Sequence, residues 1–275
     1  MISLALDNRQ LAKTYDEVSN SQFENGKLLL EQLQVKPGDT VLDIGCGTGR
    51  LGFHVLDQIG PAGRFIGIDP LPERIALANA QNNVENAEFR TGIAEELGFL
   101  ASESVDLVYL SAVFHWVPDK ERALSEIYRV LKPGGRIGLT TNAKELAHAT
   151  TLRSVTTRVL GREAYRELVN ADDFAPTRNG VTTTRLLELL LGSGLAVSDF
   201  HIRAVRRSYA SGKDILDFAE SSTFGNYLHH VPDGLRDRAR AELEAEFDLL
   251  KQDGAIAFQG YTLFAVAEKQ GAHLN

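Results

Sequence analysis

The chain has 275 residues, a formal net charge of −8 at pH 7, 43% hydrophobic residues and 24% charged residues. This length allows one large α/β domain with an insertion or two small domains. The acidic balance argues against DNA or RNA as a partner, because nucleic-acid-binding domains present a basic surface.

The cysteine content and the lengths of the apolar runs exclude further classes of protein. Cys46 is the single cysteine, so an intrachain disulfide and a cysteine metal site are excluded, and no metal is expected. No apolar run reaches the roughly 18 residues of a membrane span, and a basic-then-apolar signal is absent from the N-terminal segment. We therefore expect a cytoplasmic protein with no membrane partner.

Strands and helices alternate through the first half of the chain. Residues 1–35 are polar at first and then carry a helical apolar face, which predicts an N-terminal helical cap. The predicted strands cover 40–44, 64–68, 87–90 and 105–110. One predicted helix ends at residue 59, and a second covers 72–82. Such alternation predicts parallel βαβ units with ligands bound at the carboxyl ends of the strands.

A glycine-rich loop follows the first strand. Its glycines occupy alternate positions: Gly45, Gly47 and Gly49. Arg50 stands where the dinucleotide motif requires its last glycine, so the loop departs from that motif. Asp43 precedes the loop, where a carboxylate disfavours a pyrophosphate and suits an ammonium group. Asp69 ends the second strand, where a carboxylate can accept both ribose hydroxyls.

These residues resemble the class I S-adenosylmethionine-dependent methyltransferases, in particular the type 11 or UbiE-like small-molecule enzymes. The match covers motif I, Asp43 to Gly49, and the acidic end of the second strand. The resemblance implies S-adenosyl-L-methionine as cofactor and S-adenosyl-L-homocysteine as product. It also implies an α/β, Rossmann-like fold with a seven-stranded, mostly parallel sheet, an antiparallel last strand, helices on both faces and a helical lid insertion.

The resemblance also implies a set of cofactor contacts. They are Tyr15, Gln22, Asp43, Gly45, Gly47, Gly49, Asp69, Pro70, Ile93, Ala94, Glu95 and Ser111. For Tyr15 and Gln22 the alternative is a packed or solvated side chain in the N-terminal segment. Ile93 replaces the aspartate that related enzymes use to accept from the adenine amine. Either the backbone of Ile93 and Ala94 holds the adenine with apolar contact, or Glu95 substitutes.

An aromatic group follows the fourth strand and marks the acceptor side. The sequence Phe114-His115-Trp116 resembles that of trans-aconitate and juvenile-hormone-acid methyltransferases, which methylate carboxylates. It implies His115 as a candidate general base and His115 and Trp116 as candidate substrate contacts; His229 is a further candidate. The alternatives are packing for Phe114 and Trp116, a backbone hydrogen bond for His115, and simple exposure for His229.

The second half of the chain breaks the alternation. We predict a helix that ends at Pro133 and a fifth strand from Arg136, then a helical lid over 143–185. A helix with Leu235, Ala239, Leu243 and Phe247 on one face and a final strand from Tyr261 follow. The predicted domains are the cap 1–35, the methyltransferase domain 36–142 with 186–275, and the lid 143–185.

The predicted function is methyl transfer to a small-molecule acceptor, a carboxylate or another oxygen, nitrogen or carbon nucleophile, by a monomer or homodimer. Arsenite is disfavoured as acceptor because thiolate-bound arsenic needs several cysteines. Two alternatives remain open at this stage. One is an S-adenosylmethionine-binding sensor or partner protein without transferase activity. The other is a Rossmann oxidoreductase, which Asp43 and Arg50 disfavour.

Overall fold

The structure is a computed structural model that describes residues 3–149, 151–167 and 180–271. It divides into two compact units. The sheet unit comprises Ser21–Glu145, Asn179–Arg203 and Thr262–Asn275, and the helical unit comprises Met1–Asn20, Leu146–Arg178 and Ala204–Tyr261.

Helices separate the first three strands as the sequence predicts, and the fourth strand follows the third without a helix between them. The strands are β1 (Thr40–Ile44), β2 (Arg64–Asp69), β3 (Ala87–Thr91), β4 (Val105–Ser111), β5 (Leu131–Thr141), β6 (Leu195–Tyr209) and β7 (Ile256–Lys269). The helices are α1 (Arg9–Val18), α2 (Asn20–Leu33), α3 (Arg50–Ile59), α4 (Pro72–Gln81), α5 (Lys120–Val130), α6 (Thr151–Leu160), α7 (Thr183–Gly192), α8 (Gly212–Ser222) and α9 (Asp233–Asp248). Short 3₁₀ helices cover Leu4–Leu6 and Lys144–Ala149.

Within the described residues, seven strands form one mixed sheet in the order β3-β2-β1-β4-β5-β7-β6. The first five strands pair in parallel, and β7 pairs antiparallel with β5. This confirms the predicted fold class and the antiparallel last strand. The register aligns Asp43 in β1 with Gly67 in β2 and with Tyr109 in β4. The carboxyl ends of β1, β2 and β4 therefore meet at one edge, where parallel sheets bind ligands.

The core of the sheet unit explains why its strands read as nearly continuous apolar runs. Val41 and Leu107 are fully buried on neighbouring strands, as parallel strands covered on both faces must be. The buried face of α2 packs into the same core through Leu29, Leu30 and Leu33. Burial of each such side chain contributes roughly 1.5–3 kcal/mol to the stability of the folded state.

The start of β5 differs from the prediction. Helix α5 ends at Val130 rather than at Pro133, and β5 already begins at Leu131, which pairs with Val105. The register then shifts, because the next residue of β4 to pair, Leu107, lies opposite Arg136. The Pro-Gly-Gly segment thus forms a bulge in the strand, a feature that proline and glycine favour.

The helical unit has an apolar core of its own. Helix α1 contacts α8, and α9 contacts both α6 and α8. The predicted face of α9 is confirmed, because Ala239, Leu243 and Phe247 are fully buried in this core. The boundaries differ from the predicted domains, since the segment 204–261 shares its core with α6 instead of belonging with the sheet. Residues 168–179 of the predicted lid lie outside the described residues.

In the part of the chain that the structure describes, no helix has both the length and the apolar character needed to cross a bilayer.

Candidate functional site

The glycine loop joins the end of β1 to the start of α3 in a fixed conformation. The amide nitrogens of Gly45 and Cys46 both donate to the carbonyl oxygen of Ile68, at 2.7 and 3.0 Å. Gly45 has φ +79°, and a Cβ there would lie 2.2 Å from Cγ2 of Val113. Gly47 has φ +55°, but a Cβ there would meet no atom within 4 Å. Gly45 therefore serves packing, whereas Gly47 leaves an open surface against which a ligand can lie.

Asp69 fixes this loop from the end of β2. Its Oδ2 accepts from the amide of Gly47 at 2.9 Å, and its Oδ1 accepts from the amide of Leu71 at 2.9 Å. The carboxylate is 6% exposed, and Pro70 beside it is half-buried. Backbone donors stabilise a carboxylate in its charged form. Asp69 is thus a fixed anion next to the open face of Gly47; its contact with a ribose stays a prediction.

Asp43 lies deeper than Asp69 and has fewer donors. It is 2% exposed, and the hydroxyl of Tyr109 on β4 donates to its Oδ2 at 2.7 Å. Burial raises the pKa of Asp43 to about 8, with a further increase from Asp69 and a partial decrease from the Tyr109 hydrogen bond. At neutral pH this acid is therefore mostly protonated, which the sequence does not reveal.

The segment after β3 presents an apolar side chain. Ile93 is 39% exposed, whereas Ala94 and Glu95 are buried. Oε1 of Glu95 accepts from the amide of Asp119 at 3.2 Å, and the carbonyl of Glu95 accepts from Nε of Arg122 at 3.0 Å. Glu95 thus anchors the start of α5. Both predicted ways of holding an adenine here stay predictions.

The chain leaves β4 through a strained residue. Ser111 ends the strand half-buried, and Ala112 follows with φ +59°, a conformation that disfavours any side chain. The amide of Ala112 donates to both the carbonyl oxygen and Oγ1 of Thr140, at 3.0 and 2.9 Å. Neighbouring structure thus maintains the strain, which is typical of functional sites.

The aromatic group after this residue forms a tight turn. The amide of Trp116 donates to the carbonyl of Val113 at 2.7 Å, and the same Val113 packs on Gly45. His115 is 6% exposed, with Nδ1 3.2 Å from Oγ1 of Thr141 and its ring 4.8 Å from that of Trp116. Phe114 is fully buried, as the packing alternative predicts, and Trp116 is half-buried. His115 thus hydrogen-bonds the side chain of Thr141.

Helix α2 closes the same edge of the sheet. A Cβ on Gly26 would lie 2.5 Å from Cδ2 of Leu51 and 3.1 Å from Oγ of Ser111, so the helix approaches the end of β4 closely. Gln22 lies one helical turn before Gly26 on the same face, half-buried, and accepts from Oγ of Ser21 at 2.9 Å. The sheet unit therefore brings Gln22 to the edge that carries the glycine loop.

The two remaining predicted residues belong to the helical unit. Tyr15 lies half-buried on α1, and its carbonyl accepts from the amide of Ser19. His229 is exposed beside His230, with ring centroids 5.9 Å apart, as the exposure alternative predicts. Their contacts with cofactor and substrate stay predictions.

Two residues that position others in the site, and one strained residue, were not predicted from the sequence. Tyr109 bonds Asp43, Thr141 bonds His115, and Ala112 carries the backbone strain. The contact of Tyr109 with Asp43 depends on the pairing of β1 with β4, which joins residues 66 positions apart in the sequence.

Comparison with known proteins identifies the family. A methyltransferase domain model matches residues 42–139. The demethylmenaquinone methyltransferase of Lactobacillus johnsonii is 31% identical over 207 residues, which are 67% of this chain and 81% of that protein. The chain belongs to the class I S-adenosylmethionine-dependent methyltransferases. The resemblance read from motif I is confirmed.

Two further comparisons describe the extent of the likeness. The arsenite methyltransferase of Halobacterium salinarum is 44% identical to this methyltransferase over 108 residues, 38% of this chain but 27% of that protein. The crystal structure of YcgJ from Bacillus subtilis matches with a TM-score of 0.59 at 20% identity, covering 90% of this chain and 99% of that one. The first likeness concerns about a quarter of the relative, and the second concerns the fold.

Proposed function

We propose that this methyltransferase transfers a methyl group from S-adenosylmethionine to a small-molecule acceptor with an oxygen, nitrogen or carbon nucleophile. The observation that carries the proposal is the open face of Gly47, with its amide fixed by the carboxylate of Asp69. A Cβ at Gly47 would touch no protein atom within 4 Å, so packing does not account for this glycine, and its open face leaves room for a ligand. The residues present therefore fit the cofactor that the family uses.

The cofactor would be held by the edge formed by β1, β2 and α2. Asp69 supplies a fixed anion for the ribose hydroxyls, and the loop at Gly47 supplies the close approach. Ile93 and the backbone of Ala94 offer an apolar surface for the adenine. When bound, S-adenosylmethionine supplies a sulfonium methyl group that a nucleophile displaces in line, so catalysis rests mainly on alignment and exclusion of water.

The acceptor would meet the residues that follow β4. Ser111, His115 and Trp116 stand there, with His115 held by Thr141. A carboxylate acceptor is ionised at neutral pH and needs no base. A phenol, an amine or a carbon acid needs a base within hydrogen-bonding reach, and we assign that role to His115.

The names of the relatives provide two acceptors to compare. Demethylmenaquinone supports a quinol-type acceptor for this chain. Arsenite is disfavoured because Cys46, the single cysteine, is buried: a Cβ on Gly67 would lie 3.0 Å from its Sγ. Burial and the nearby carboxyls raise the pKa of this thiol, which makes it a poor arsenic ligand.

Incubation with methyl-labelled S-adenosylmethionine tests the proposal. The panel contains small carboxylic acids, phenols, amines, a demethylmenaquinone analogue reduced to the quinol, and arsenite. We expect labelled product from one of the first four classes and none from arsenite. Tight donor binding with no labelled product from any acceptor would instead support the sensor alternative.

The variant His115→Gln separates the acceptor classes. With a phenol, amine or carbon acid it should lower kcat by about 100-fold or more, because the base is lost. With a carboxylate it should change kcat by less than about threefold. A loss of donor binding in this variant would contradict the assignment of His115 to the acceptor side.

The acidic charge supports an acceptor other than nucleic acid, and we infer a cytoplasmic monomer or homodimer. Light scattering after gel filtration measures the oligomeric state. An assembly larger than a dimer would contradict this inference.

A further inference from the structure

The carboxyl groups of Asp43 and Asp69 both lie beside the glycine loop. Of the two, only Asp69 has backbone hydrogen-bond donors among the described residues, and such donors stabilise a buried negative charge. Asp69 accepts from two backbone amides, those of Gly47 and Leu71. Asp43 is more deeply buried, and within the described residues Tyr109 is its one hydrogen-bond donor. A second buried negative charge close to the first costs free energy that a single hydroxyl cannot offset.

The ionisable groups that act on Asp43 come from three elements. They are Tyr109 on β4, Asp69 at the end of β2 and Cys46 in the loop. Asp69 opposes a charge on Asp43, and neither Tyr109 nor Cys46 is positive in any protonation state. Among the described residues no cation forms an ion pair with Asp43. A positive charge for this carboxyl must therefore come with a ligand.

We propose that Tyr109 is a positioning residue that holds Asp43 ready to ionise, and that binding of the cationic methyl donor releases the proton of Asp43. The O–H bond of the acid breaks, the proton passes to the buffer, and the carboxylate stays paired with the Tyr109 hydroxyl and the donor's positive charge. This inference rests on the proposed function, because it requires the donor to bind at the glycine loop.

Donor affinity should rise with pH, because binding requires Asp43 to lose its proton. Since the pKa of Asp43 in the free protein is about 8, the acid is charged in only a minor part of the molecules at neutral pH. Binding that requires the charged form strengthens about tenfold per pH unit as pH rises towards this value. Around pH 7, roughly nine-tenths of a proton should be released for each donor bound.

Titration calorimetry counts this proton directly. S-adenosylmethionine is titrated into the intact protein at about pH 7 in phosphate and in Tris, whose ionisation enthalpies differ. We expect a slope of observed heat against buffer enthalpy equal to roughly one proton released. A slope near zero with firm binding overturns this inference and leaves the proposed function intact. No binding at any pH between about 6 and 8.5 overturns both.

Tyr109→Phe tests the role of the hydroxyl. Loss of the hydrogen bond to the charged form raises the pKa of Asp43 further, so that about tenfold less of the protein carries the ionised acid at a pH well below this pKa. The donor affinity should then fall about tenfold relative to the parent near pH 6.5 and only about threefold near pH 8.5. The ratio of the two proteins cancels titration of the donor's own amino group.

Tyr128→Phe is the matched control. Tyr128 lies on α5, with Nζ of Lys269 4.7 Å above its ring, and it takes no part in the site. Its affinity should stay within about twofold of the parent at every pH. A deficit in Tyr109→Phe that is the same at all pH values would show a merely structural role and overturn the proposal. So would an unchanged affinity in a folded Tyr109→Phe protein.

Discussion

Alanine at Gly47 separates ligand binding from folding. In the structure a Cβ at this position meets no atom within 4 Å, so the substitution causes no clash in the protein itself. The cost to folding comes from the φ of +55°, and a left-handed conformation costs an L-residue about 1–2 kcal/mol. The new methyl group would instead occupy the space that we propose for the cofactor.

The matched variant is Gly45→Ala in the same loop. Its Cβ would lie 2.2 Å from Cγ2 of Val113, and its φ of +79° adds the same backbone strain. Overpacking of this kind costs about 1–3 kcal/mol beyond the strain. We therefore expect Gly45→Ala to lose clearly more unfolding free energy than Gly47→Ala.

Urea denaturation and titration with S-adenosylhomocysteine measure the two effects. Gly47→Ala should unfold with a free energy lower by about 1–2 kcal/mol, and its affinity for S-adenosylhomocysteine should fall by about tenfold or more. A folded Gly47→Ala protein that binds within about threefold of the parent would refute the placement of the cofactor against this residue.

Two further substitutions test the supports of the site. Ala112→Gly should raise the free energy of unfolding by about 1 kcal/mol in urea, because glycine adopts the left-handed conformation without strain; an unchanged or lower value would contradict strain at this position. Asp69→Asn should lower the free energy of unfolding by about 1–3 kcal/mol, because its one amide oxygen can replace only one of the two carboxylate oxygens that accept from Gly47 and Leu71, and its NH₂ group cannot accept. The same variant should weaken S-adenosylhomocysteine binding, and full retention of affinity would show that Asp69 acts on the loop alone.

The sequence predicted the parts of the fold that local patterns encode. Strand β1 and helix α3 follow from an apolar run, a glycine loop and a helical face, and the structure confirms them. The bulge in β5 was not predicted, because Lys132–Gly135 contain the usual signals that end a helix. The pairing partner of Leu131 also lies 26 residues earlier in the sequence, where no local pattern reveals it. The shared core of α6 and α9 was not predicted either, because the sequence of an amphipathic helix does not reveal which core its apolar face joins.

The site shows the same division between local and distant information. Gly45, Gly47 and Asp69 were predicted as site residues from the local pattern of the glycine loop, and their contacts with the cofactor stay predictions. The protonation of Asp43 was not, because it depends on burial and on Tyr109, which is 66 residues away in the sequence. A carboxyl group alone does not indicate its charge, because neighbours from other strands determine it.

We propose that the loop between β1 and α3 binds the methyl donor at the face of Gly47. Calorimetric titration of the intact protein with S-adenosylhomocysteine, and separately with NAD⁺, tests it most directly. We expect saturable binding of S-adenosylhomocysteine at one site per chain and no heat with NAD⁺. No heat with S-adenosylhomocysteine, or tight binding of NAD⁺ alone, would contradict it.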